Sequence, residues 1–127
     1  MASPLATMPD PTLETMGKNF DASGSFGPEF VTADELPAGG AGLQIQCRLN
    51  GAVMQNASLS DLIFALPVII EYISGFTPLA PGDVIATGTP GGVGDRREPP
   101  VYMKAGDVIE VEITGLGTLR NRVTDAT

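Results

Sequence analysis

From Leu43 to Asn50 apolar and polar positions alternate without interruption, with Leu43, Ile45, Cys47 and Leu49 in one set and Gln44, Gln46, Arg48 and Asn50 in the other. A period of two sends each set to its own face of a strand, so this segment is predicted to be a half-buried β-strand. Asn50-Gly51 follows, the pair favoured in a type I′ hairpin, and Ala52 to Gln55 is expected to return antiparallel. The pattern recurs from Val108 to Ile113, where Ile109, Val111 and Ile113 oppose Glu110 and Glu112. Gly115 and Gly117 separate that strand from a short one over TLRNRV. Phe30 to Thr32, ended by an ADELP turn, and Val84 to Ala86, begun by a Pro-Gly-Asp turn, are also read as strands.

Between these lies Ser58-Leu59-Ser60-Asp61, a hydroxyl followed three residues later by a carboxylate, which is the signature of a capped helix start. The helix is predicted over DLIFALPVIIEYIS. It is apolar nearly all round and so is expected to be buried. Pro67 removes an amide donor and should kink the helix or mark its true beginning, and Gly75 is a plausible C-terminal cap. Six or so strands and one main helix make a β-rich α+β domain. Residues 1–15, rich in proline and without periodicity, read as a loosely held irregular arm, and residues 16–127 as the single domain.

A length of 127 residues bounds the count at one domain. Seven basic against 15 acidic residues give a net charge of -8, which argues against nucleic-acid and anionic-membrane partners. No apolar run is long enough for a membrane span, and the N-terminus has neither a cationic head nor an apolar core typical of an export signal. The single cysteine, Cys47, excludes an intrachain disulfide. A reducing, cytoplasmic setting is the expectation. Histidine is absent, which removes Ser-His and Cys-His nucleophiles and the commonest zinc ligand.

The stretch VIATGTPGGVGD, Val84 to Asp95, has the glycines of a phosphate loop. It is followed by DRREPPVY, however, and adjacent prolines oppose the helix whose N-terminus would face a phosphate. Neither G-x-G-x-x-G nor G-x-x-x-x-G-K-[ST] is matched, so nucleotide binding is set aside in favour of a wide glycine turn. Glu110 and Glu112 project from one strand face and could suggest a metal site, but a solvated strand face has the same pattern. Asp95-Arg96-Arg97-Glu98 reads as a solvated loop rather than an anion clamp. Lys18, in GKNFD, is either a surface lysine or a partly buried group steering a carbonyl or carboxylate.

Taken in order, GKNFD, FGPEFVTADEL, LNGAVMQ, SLSDLIF, LAPGDVIATGTPGGVG and PPVYMKAGDVIEVEITGLGTLRNRV resemble the C-terminal part of the fumarylacetoacetate hydrolase family, from Met16 to Val123. The resemblance implies part of a mixed β-sandwich roll, assembled as a homodimer or larger homo-oligomer. It also implies chemistry on small oxo-acids and 1,3-dicarbonyl compounds, as in aromatic catabolism: carbon-carbon bond hydrolysis, diene isomerisation or decarboxylation. In the family a divalent Mg, Mn or Ca ion holds the paired substrate oxygens. Carried over by motif, Lys18 supports the substrate oxygens as a catalytic residue, and Thr89 hydrogen-bonds the substrate carboxylate with amides near Gly88. The family's E-x-E strand, its N-D-x-S-A-R-D motif and its catalytic histidine have no match here. The expectation is therefore a truncated member with no metal ligands of its own, inactive alone, or else a non-catalytic oligomeric remnant or weak carboxylate binder.

Overall fold

The computed structural model describes residues 23–125; Lys18 and the expected arm over 1–15 lie outside them. Among the described residues four strands form one antiparallel sheet: β1 (Gln44–Leu49), β2 (Ala52–Ser58), β3 (Val108–Ile113) and β4 (Gly117–Arg122), in the order β2-β1-β3-β4. The β1–β2 hairpin turns where the sequence requires it. Asn50 has φ 51° and Gly51 φ 83°, the paired left-handed conformation of a type I′ turn. β2 runs three residues beyond the expected return, to Ser58.

Partner residues in an antiparallel ladder share a face, so the register sorts the side chains. Ile45 opposes Ile113, Cys47 opposes Val111, Leu49 opposes Ile109, and Val111 opposes Leu119. These make the apolar face. On the other face Gln46 opposes Glu112 and Arg48 opposes Glu110, which in turn opposes Arg120. Burial of the Cys47 thiol raises its pKa, an effect the adjacent Arg48 partly offsets.

Three expectations are corrected. Phe30 to Thr32 and Val84 to Ala86 are not strands. Neither stretch meets a ladder partner among the described residues, and an unpaired extended segment has no hydrogen bonds to hold it as a strand. Among the described residues the strand total is accordingly four rather than six. The capping box at Ser58 is real, with the Ser60 amide donating to Ser58 Oγ at 3.1 Å and the Ser58 amide to Asp61 Oδ2 at 3.1 Å, but it caps a single 3-10 turn over Leu59–Asp61.

The helix itself, α1, is Leu66–Ser74 and has Pro67 in its first turn, where a missing amide costs nothing. It ends at Gly75, whose amide donates to Glu71 O at 3.2 Å. It is not buried: Val68 and Ile70 are each 49% exposed and Tyr72 74%. Among the described residues Leu43, at 7% exposure, is the one buried large apolar side chain. It sits beside Gly40 under Leu59, and its carbonyl accepts from the Leu59 amide at 2.8 Å.

Two turns of the same design precede Val84 and Val108. In each, the aspartate carboxylate accepts from the amide three residues earlier at 2.8 Å, Asp83 from Ala80 and Asp107 from Lys104, and a positive-φ glycine occupies the corner. Asp107 also receives the Asn50 side-chain amide at 2.9 Å, while Asn50 Oδ1 accepts from the Val108 amide at 2.9 Å. The hairpin tip is thus tied to the start of β3. The Asn50 bond, followed by that from Lys104, lowers the Asp107 pKa.

Replacing Asn50 by alanine is expected to cost about 1–2 kcal/mol from the left-handed backbone alone, read as a lower urea midpoint with an unchanged slope. Because the folded Asp107 pKa is depressed, the stability it confers is complete above the ordinary carboxylate range and is lost as pH falls through the folded value. Melting followed across acid pH should show that loss, and Asp107→Asn should blunt it.

Candidate functional site

The register between β1 and β2 slips between Cys47 and Arg48: Cys47 opposes Gln55 and Arg48 opposes Val53, leaving Met54 as an extra residue. An extra residue in a ladder leaves its carbonyl without a strand partner. Here Arg97 supplies one. Its Nη2 donates to Met54 O, and its Nε to Gly92 O at 3.0 Å, so a single guanidinium joins the bulge to the glycine loop. A second tie lies one residue along β2, where Gln55 Nε2 donates to Thr89 Oγ1 at 2.8 Å and to Pro90 O at 2.7 Å.

The glycines now have a local reason. A Cβ on Gly92 would collide with the Met54 carbonyl and one on Gly94 with the Val101 carbonyl, and Gly92 has φ 102°. Glycine is needed where the loop backbone presses against β2 and where it closes on itself. Val101 donates its amide to Gly94 O at 3.0 Å, and Tyr102 Oη donates to Asp95 Oδ1 at 2.8 Å, which raises the tyrosine pKa.

Pinned in this way, Thr87 to Gly91 forms one wall of a cavity of about 630 Å³ on the apolar side of the sheet. Ile45 and Ala57 form its floor, and Ile63, Phe64 and Ile69 face the loop. Thr89 and Gly88 lie on the wall. The amides of Gly88, Thr89 and Gly91 donate to no other described residue. Asp61 is the one ionisable side chain among the described lining residues, and its Oδ2 is already engaged by the Ser58 amide. The space can accept a small molecule with an apolar body and one polar end at the loop.

The other candidates are placed as follows. Glu110 and Glu112 lie on the face opposite the cavity, where Arg48 Nε meets Glu110 Oε2 at 3.2 Å and Arg48 Nη1 meets Glu112 Oε2 at 2.8 Å. Arg120 adds a contact to Glu110 Oε1 at 3.4 Å. The pairing, first with Glu112 and then with Glu110, raises the Arg48 pKa. The pairs are partly exposed, so solvent screens them and they add little to stability. Arg97, expected in a solvated loop, is half-buried and holds backbone carbonyls. Among the described residues no three His, Cys, Asp or Glu side chains come together to hold a metal ion. They do not by themselves fit the divalent ion that the resemblance implies.

Sequence reasoning missed Gln55 and Arg97. A bulge has no signature in alternation, and only the position of Gln55 four residues after Gly51 hinted at its place on the ladder.

The result is a β-rich α+β chain with an apolar cavity walled by a Thr-Gly-Thr-Pro loop. The chain belongs to the fumarylacetoacetate hydrolase family: the profile described as Fumarylacetoacetate (FAA) hydrolase C-terminal matches residues 5–124. It is 44% identical over 108 residues to the mitochondrial oxaloacetate tautomerase FAHD2A of Bos taurus, an alignment covering 85% of this chain and 34% of the relative. Among solved structures it resembles a fumarylacetoacetate hydrolase from psychrophilic Exiguobacterium antarcticum, with a TM-score of 0.82 and 42% identity over 87% of this chain and 39% of that one. It also resembles the maleylpyruvate hydrolase of Sphingobium sp. SYK-6 in complex with manganese(II) and pyruvate, with a TM-score of 0.69 and 35% identity over 80% of this chain and 35% of that one. The chain spans about a third of the length of the curated relatives it matches. The resemblance, the fold class and the general hydrolase or isomerase kind of the relatives agree with the reading of the sequence.

Gly92→Ala is expected to cost about 1–3 kcal/mol through backbone strain and to release the loop. Limited proteolysis should then cut within residues 84–97 sooner than in the parent chain, and Arg97→Met should show the same new cleavage.

Proposed function

We propose that this chain provides the carboxylate-binding wall of a fumarylacetoacetate hydrolase-type site for small oxo-acids. The observation that carries the reading is Thr89, held by Gln55 at the edge of an apolar cavity with unengaged loop amides beside it. A carboxylate placed there receives the Thr89 hydroxyl and the amide of Gly88 or its neighbours, and charge-assisted bonds of this kind are short and strong. The carbon skeleton packs against Ile45, Phe64 and Ile69. The relatives support the substrate class, since the names of several refer to oxaloacetate, maleylpyruvate or bound pyruvate. Lys18 would support the remaining substrate oxygens, as the resemblance implies.

The described cavity wall has no free acid or base. The chain has no histidine, and Asp61 is engaged in capping. On this reading the chain alone binds an oxo-acid without turning it over. Exposed Phe64, Val68, Ile70 and Tyr72 present apolar surface that self-association would cover, in keeping with a homo-oligomer.

Calorimetric titration with pyruvate, with and without Mn²⁺, should show weak binding. Thr89→Val should weaken it by roughly 10–100-fold, corresponding to about 1.5–3 kcal/mol for a hydrogen bond to a charged group. An oxaloacetate keto–enol assay should show no rate above buffer. Full affinity in Thr89→Val would remove the carboxylate assignment, and turnover by the isolated chain would remove the non-catalytic part.

A further inference from the structure

Gln55 opposes Cys47 and so projects from the apolar side of the sheet, the side that carries the cavity. Thr89 lines that cavity, whereas Gln55 is not among its lining residues and stands behind the threonine. The contacts of the Gln55 amide settle which way it points. Its terminal group lies 2.7 Å from Pro90 O, and a main-chain carbonyl only accepts, so the nitrogen must face the loop. The same nitrogen lies 2.8 Å from Thr89 Oγ1, so the hydroxyl accepts from it. A hydroxyl has one proton and two lone pairs. Once Gln55 occupies a lone pair, the proton is available to a partner elsewhere.

We infer that Gln55 is a positioning residue: it occupies one lone pair of the Thr89 hydroxyl, which biases the proton toward donation into the cavity and favours a ligand end that only accepts hydrogen bonds, a carboxylate, over one that must also donate, such as a carboxamide. The inference rests on the reading of Thr89 as the carboxylate contact. It adds a residue that does not touch the ligand and a reason for the preference. The bulge is what places Gln55 for this role. Arg97 bridges Met54 O and Gly92 O, so the loop is held from β2 on both sides of Pro90 and Gly91 and Thr89 cannot drift from the amide. A hydroxyl free to rotate would accept from a carboxamide as readily as it donates to a carboxylate, and selectivity would fall.

The experiment uses the full chain and two probes of nearly equal size, pyruvate and its neutral amide pyruvamide. The parent chain is expected to bind pyruvate roughly tenfold more tightly than pyruvamide, a ratio set by a charge-assisted bond that the amide lacks. Gln55→Leu should lower the ratio toward that of Thr89→Val, and the double variant should lose less than the two single losses added together, because the two residues are coupled. Thr89→Ser, which keeps the hydroxyl, should keep the ratio. Should Gln55→Leu retain the parent ratio, or should the two losses simply add, the positioning role is overturned.

A second measurement needs no ligand and serves also if Gln55→Leu fails to fold. In ¹⁵N spectra of the parent chain the Gln55 side-chain amide protons should exchange slowly, and Thr89→Val should shift them. Rapid exchange, with no response to Thr89→Val, refutes the inference. If the parent chain binds neither probe, the carboxylate reading falls, and the amide spectra still decide whether Gln55 orients Thr89.

Discussion

The slip in register after Cys47 leaves the Met54 carbonyl without a partner on β1, and the guanidinium of Arg97 takes it up together with the carbonyl of Gly92. A buried or half-buried carbonyl needs a donor, and an arginine offers several in a rigid plane, so one side chain can satisfy strand and loop together. The glycine loop makes no ladder of its own, and its position follows from this bridge and from the neighbouring Gln55. The local backbone answers to the same constraint. Gly92 has a positive φ and no room for a Cβ because the bulged carbonyl stands where a side chain would begin. A stretch resembling a phosphate loop in composition is shaped by its approach to a sheet.

The sheet divides two kinds of chemistry. One face has Arg48 between Glu110 and Glu112, with Arg120 beside Glu110, and this charge ladder neutralises itself. The other face is apolar and supports the cavity, the loop and the rim formed by Ile63 and Phe64. Acidic side chains that might have been read as a site are therefore committed to register, since each pairs across strands that the hydrogen-bond ladder has already joined. The cavity lies on the side with few charges, where the Thr89 hydroxyl and the loop amides have Asp61 as the one ionisable neighbour among the described lining residues. Thr89 gains its importance from that contrast.

Much of the fold was legible because period-two alternation and the Asn50-Gly51 turn are strong local codes. β1, β2, β3 and β4 lie where these codes put them, and the aspartate turns before Val84 and Val108 are built alike. The errors came where the outcome depends on distant partners. Val84 to Ala86 has the composition of a strand but meets no neighbour to pair with among the described residues. The apolar run from Leu66 predicted burial, yet no element among those described covers Val68, Ile70 or Tyr72. Capping chemistry at Ser58 was read correctly, but Pro67 and not the cap decides where the helix begins. Thr89 and Gly88, named from the motif that carries the family resemblance, line the cavity. Gln55 and Arg97 could not be named from the sequence, because a bulge is a property of two strands together.

The strand order also governs how such a chain comes together. The hairpin of β1 and β2 closes across a two-residue turn, whereas the middle ladder joins Gln44 to Thr114, 70 positions away. Closing so long a loop costs conformational entropy before any contact repays it, and topologies of this kind form slowly. The intervening segment includes α1, the glycine loop and Arg97, so the cavity wall lies within the loop that the central pairing closes. Until then β1 presents an unpaired edge of Ile45, Cys47 and Leu49, the species on which a folding assistant or an aggregate would act first.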